Sequence, residues 1–143
     1  MSMASDARDR SFDEEGETDE FWFIFDVEWP VNHPGLREAV SEAKQHGVRT
    51  AVSNPCFEIW LILHFQDQSS WLDNGDARRL RRKLDGSGDK GVNATAYMHI
   101  AKDAFRRARD LDRRHSLNAT DFPQDNPSSG MHQLLKSIGF DET

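Results

Sequence analysis

An α/β fold, with a small parallel sheet in a βαβ unit flanked by helices and a helical C-terminal half, follows from three observations along this 143-residue chain. The first is a short, aromatic, nearly continuous apolar run at 21–25, which reads as a strand. The second is a stretch of apolar residues at helical spacing between that run and a β-prone one at 48–53. The third is that the apolar patterns after residue 54 recur every three or four positions rather than every two.

Residues 1–19 lack apolar periodicity and are dense in charge, so an acidic disordered arm is expected there, ahead of a single domain over 20–143. Phe21 to Phe25 should form a strand buried on both faces of a parallel sheet, and Pro30 ends the extended run. Leu36, Ala39, Val40 and Ala43 mark a crossover helix over 34–46, and Gly47 sits where a C-terminal cap belongs. A strand at 48–53 completes a right-handed βαβ unit. Asn54 and Pro55 then open a helix to about residue 66 that is apolar around most of its circumference. A basic helix at 76–84 and a glycine-rich turn, GSGDKG, lead to a long helix at 94–115 whose buried face is Tyr97, Ile100, Ala101, Ala104, Phe105, Ala108 and Leu111. A polar loop precedes a final helix over 128–138, which Gly139 stops.

Composition excludes several functions. Mean hydropathy is −0.77 and the longest apolar stretch, Ile59 to Leu63, is far short of the ~20 residues a spanning helix needs. With no signal-peptide pattern either, a cytoplasmic protein without a membrane partner is expected. A single cysteine, Cys56, excludes an internal disulfide and a multi-cysteine metal site, and a buried inert thiol is expected. Residues 1–20 hold eight acidic residues against Arg8 and Arg10, a net of −6, so only −1 of the chain's −7 belongs to the rest. Overall acidity therefore does not argue against a nucleic-acid ligand.

Asp26 and Glu28 lie two apart at the end of the first strand, which would put both carboxylates on one face, roughly 7 Å apart along the chain. Ligands of open parallel sheets gather at that end, and a hard cation such as Mg²⁺ takes one or two carboxylates plus water and phosphate oxygens. A turn cap at Asp26 and a solvated Glu28 meet the same spacing. Glu58, among Phe57, Ile59, Trp60, Leu61 and Ile62, needs a partner when buried: an arginine from a later helix, helix amides, or the metal of Asp26. Asn54 either bonds a ligand or shapes the turn with Pro55. His64 lies on another helix face from Glu58 and reads as a satisfied core histidine. Arg78, Arg79, Arg81, Arg82 and Lys83 could follow a phosphate backbone by charge, or form a solvated face. A second basic cluster, Arg106 to Arg114, is interleaved with aspartates. GSGDKG lacks the spacing of a phosphate loop.

WFIFDVEWP, the SNP-x-FE-x-W-x-x-x-HF segment at 53–65 and NPSSGMHQLL at 126–135 together resemble the RloB-like proteins, a Toprim-related group of restriction-linked and phage-defence loci. The resemblance covers about 20–140, and the 53–65 segment is its specific part. It implies a Toprim-like three-layer core in which Asp26 and Glu28 bind Mg²⁺ or Mn²⁺ and Glu58 joins them in phosphodiester hydrolysis of nucleic acid. It implies Asn54 and Glu58 as the signature helix entry, and an ATPase partner protein. Such proteins also carry a glutamate on an earlier strand. EGETDE at 15–20 imitates that text but abuts the aspartate strand directly, so the first strand and its glutamate are expected to be absent. Two functions are then open: a Mg²⁺-dependent antiviral nuclease, or a non-catalytic module that binds nucleic acid or a partner. An open sheet edge would also favour a homodimer.

Overall fold

A computed structural model describes residues 20–87 and 91–140. The expected acidic arm at 1–19 lies outside the described residues. Three strands and five α-helices occur among those described: β1 (Trp22–Asp26), α1 (Leu36–Gln45), β2 (Arg49–Asn54), α2 (Glu58–Leu63), α3 (Asn74–Asp85), α4 (Ala101–Leu117), β3 (Ser128–Ser129) and α5 (Met131–Ser137). The sheet order is β1-β2-β3. β1 and β2 run parallel, from Trp22 opposite Arg49 to Asp26 opposite Ser53, with α1 as the crossover. That is the expected βαβ unit. α1 ends as its sequence indicates, with Gly47 at φ 68° just past the cap.

The sheet differs from expectation in two ways. It is mixed, because Ser128 and Ser129 pair antiparallel with Asn54 and Ser53, so the final helix begins at Met131. Among the described residues β1 pairs with a strand on one side only, and Ile24 is 52% exposed, so the expected burial on both faces is not found. Phe21 accepts from the Arg49 amide and Val27 donates to the Ser53 carbonyl, so the alternation turns the backbone groups of Trp22, Ile24 and Asp26 away from β2. Arg49 lies over the Trp22 ring at 4.4 Å and bonds Glu20 at 3.0 Å.

α2 is the centre of the packing. Its Ile59, Trp60, Leu61 and Leu63 meet Tyr97, Ala104, Ala108 and Leu111, while Ile62 meets Cys56 and Ala77 of the α3 side. A six-residue helix between two longer ones is apolar around most of its circumference, and its polar exception is Glu58 in the first turn. It is shorter than the expected 54–66, and the long helix starts at Ala101, with Ala94–Ala96 a separate 3₁₀ turn that leaves Tyr97 buried before it. α3 opens on a capping box in which the Asp76 amide donates to Asp73 at 2.7 Å.

Gly130 joins β3 to α5 and donates to the Val52 carbonyl at 2.9 Å. A Cβ there would lie 3.0 Å from the Val52 nitrogen and 3.1 Å from the Ala51 Cα, both backbone atoms that cannot step aside. Gly130→Ala is therefore expected to cost about 1–3 kcal/mol, as overpacking does, measured by urea denaturation.

Candidate functional site at the carboxyl end of the sheet

β1 ends at Asp26, and its carboxylate accepts from the Phe57 amide just ahead of α2. Burial pushes the Asp26 carboxyl above its usual range. The Phe57 amide opposes this, the charges of Glu28 and Glu58 push it up further, and Arg78 pulls it down. Asp26 is thus within electrostatic reach of Glu28, Glu58 and Arg78, the last of which the sequence alone sets apart in a basic row. The route is not the expected one, because Glu28 lies past the strand in the left-handed region, at φ 69°. Period-two alternation ends with the strand at Asp26, so the position of Glu28 is set by the turn. That turn is tied down by Glu28 N–H to the Pro55 carbonyl at 2.8 Å and by Asn32 Nδ2 to the Glu28 carbonyl at 2.6 Å.

Glu58 finds its partner in a later helix. Arg81 Nε donates to Glu58 Oε2 at 2.9 Å, and its Nη1 donates to Asp85 Oδ2 at 3.2 Å, Ser87 Oγ at 2.7 Å and the Gly91 carbonyl at 3.0 Å. Tyr97 OH donates to Asp85 Oδ2 at 2.6 Å. Burial alone would raise Asp85, but its bonds from Ser87, Tyr97 and Arg81 bring the carboxyl down to about 2. Burial and the Asp85 charge push the Tyr97 phenol up. The Arg81 guanidinium, which burial alone would make easier to deprotonate, is held charged by Glu58 and Asp85.

Arg81 therefore does not belong with a phosphate-binding row: it is buried, while Arg78, Arg79 and Lys83 are exposed and Arg79 pairs with Asp76 at 2.6 Å. Arg82 is half-buried. The helical period was the signal. Ala77, Arg81 and Asp85 recur every four residues on the buried face of α3, and a count of charges hides that face.

Asn54 is 1% exposed and its side chain is occupied. Its Oδ1 accepts from Trp29 Nε1 at 2.9 Å, and its Nδ2 donates to the Pro123 carbonyl and to Asp125 Oδ1, both at 2.9 Å. It clamps three segments around the site. Trp29 also stacks edge-on with Trp71 at 4.7 Å, and its amide donates to Asn74 Oδ1. The loop before β3 is polar in sequence yet buried, because Asn126 bonds both the amide and the carbonyl of Leu72. His64 is a core histidine, its Nδ1 at 2.9 Å from the Trp60 carbonyl, and burial lowers its pKa. Cys56 is buried beside Asp26 and Glu58, and burial first, with those charges, pushes its thiol up to about 11.

Among the described residues, no group of three or more His, Cys, Asp or Glu side chains is placed to hold a metal ion. Two carboxylates remain a chemically suitable donor set for Mg²⁺, which keeps several waters. Asp26, half-buried and repelled by two like charges, is a group whose charge a cation would relieve. No helix among the described residues is long and apolar enough to cross a membrane.

Fold and site together define a mixed α/β protein whose βαβ unit presents a carboxylate cluster where its strands end. The chain belongs to the RloB-like protein family, which it matches over residues 1–138, a span that takes in the acidic N-terminal stretch. No curated protein and no solved structure matches it.

Proposed function

We propose that this chain is a Mg²⁺- or Mn²⁺-dependent, Toprim-like domain that hydrolyses phosphodiester bonds of nucleic acid in antiviral defence, with Asp26 and Glu28 as metal ligands. The observation that supports the reading is the place of Asp26, half-buried at the carboxyl end of a parallel strand, where burial and the charges of Glu28 and Glu58 raise its carboxyl. A divalent cation bound there supplies a Lewis acid for a phosphoryl oxygen and an activated water. The residues do the rest. Arg81 holds Glu58 in place, and Arg78, exposed and close enough to act on Asp26, would meet a phosphate.

The test is thermal unfolding with increasing Mg²⁺ or Mn²⁺, run beside cleavage assays on DNA and RNA. Wild type should be stabilised by either cation, and Asp26→Asn should not respond. The sign without metal is opposite. A carboxyl whose folded pKa is raised above 3.8 contributes most below the unfolded pKa, and that contribution is lost as pH rises through the folded one. Metal-free Asp26→Asn should therefore be at least as stable as wild type at neutral pH. Wild type that gains nothing from millimolar Mg²⁺ or Mn²⁺ would overturn the metal reading.

One observation favours a second reading. Glu58 is already paired with Arg81, so it can be a structural group in a non-catalytic module that binds nucleic acid or an ATPase partner. Strand binding with no cleavage under any divalent cation would select it.

A further inference from the structure

A cavity of about 930 Å³ lies away from the acidic cluster, between the C-terminal half of α4 and α5. None of its lining residues belongs to the carboxylate site. Its floor is aromatic: Phe105 is buried, Phe140 stacks on it at 5.5 Å with the rings 26° apart, and Phe140 remains partly exposed. Its walls are cationic, from Arg109, Arg113 and Lys136. The acidic lining residue, Asp112, is held by His132 Nε2 at 3.1 Å. Arg113 is 67% exposed and its pair with Asp110 is 3.7 Å long, a surface contact it can exchange at small cost.

A partly exposed aromatic ring in a groove also lined by surface cations suits a ligand that alternates flat aromatic groups with phosphates. We infer that this groove binds single-stranded nucleic acid, a base stacking on Phe140 while neighbouring phosphates meet Arg113 and Lys136. A duplex does not fit the description, since its bases are stacked on each other and cannot reach a ring at the groove floor. The inference needs neither a metal nor the carboxylate cluster.

Binding of a fluorescent 12-residue oligothymidylate, measured by anisotropy in EDTA, tests it independently of the metal reading. Phe140→Leu keeps apolar bulk over Phe105 but removes the stacking face, and should weaken binding about 5- to 150-fold, the equivalent of about 1–3 kcal/mol per stacked base. Phe140→Trp should restore it. Arg113→Gln and Lys136→Gln, both on the surface, should each lower the slope of log affinity against log salt by about 0.7, one phosphate contact apiece. Affinity and slope unchanged in all three loss variants would overturn the proposal. So would a matching duplex that binds as tightly as the single strand, or AMP that competes as well as the oligonucleotide does.

Discussion

Arg81→Met is expected to cost about 3–5 kcal/mol of unfolding free energy, because it removes a cation paired with two carboxylates that are largely taken out of water. The Asp85 side chain is 0% exposed and that of Glu58 22%, with Arg81 at 7% between them. Four acceptors from α2, the end of α3 and the turn after it converge on Arg81. Arg81→Lys should rescue little, since an ammonium is a single point and cannot reach Glu58 through one nitrogen and Asp85, Ser87 and Gly91 through another. Adding Glu58→Leu to Arg81→Met should recover part of the loss, because an apolar pair leaves one fewer charge stranded. Acid adds an independent reading. Asp85 is depressed from 3.8 to about 2, so its contribution is present above pH 3.8 and lost as pH falls through about 2. Wild type should lose stability across that window. Arg81→Met, which has already lost one of the bonds holding Asp85 ionised, should show a shallower acid limb. Urea denaturation at neutral pH and down the acid series measures both. A loss below about 1 kcal/mol would mean the guanidinium is solvated and the network is not formed.

What the sequence disclosed and concealed divides along physical lines. α1 was legible because its amphipathic stripe and Gly47 are local signals, fixed by residues within the element itself. β1 was legible as a strand, but its place in the sheet was not. A continuous apolar run implies burial on both faces, yet whether a neighbour pairs with each edge depends on chain elsewhere. Ser128 and Ser129 carried no β signal at all. They form a strand because Ser53 and Asn54 offer them a ladder, and β propensity follows such context more than residue type. The carboxylate cluster was half legible: Asp26 follows from the strand, whereas Glu28 reaches it only through a left-handed turn that no spacing rule reports. Glu58 was read as needing a partner, and an arginine from a later helix was one of three candidates. Only the fold could choose among them, since the choice rests on a contact 23 residues apart.

Asn54→Ala should lose about 2–4 kcal/mol, with a consequence at the site that the Arg81 variants need not share. The amide is fully buried and has three partners: the Trp29 indole N–H, the Pro123 carbonyl and the Asp125 carboxylate. Truncation leaves each of them unpaired, and a buried unsatisfied group costs about 1–3 kcal/mol. Asn54→Asp should be no better despite its nearly equal size. It keeps an acceptor for Trp29 but has no hydrogen to give Pro123, and it sets a second carboxylate against Asp125. The local effect comes through Trp29. Its backbone is the next residue after Glu28, so releasing the indole loosens the turn that brings Glu28 to Asp26. Asn54→Ala should therefore also weaken stabilisation by Mg²⁺, while Asn126→Ala, which frees Leu72 instead, should destabilise without that specific effect. Tryptophan fluorescence during urea titration reports the indole, and the cation series reports the turn. If Asn54→Ala stays within about 0.5 kcal/mol of wild type, the side chain is not a clamp.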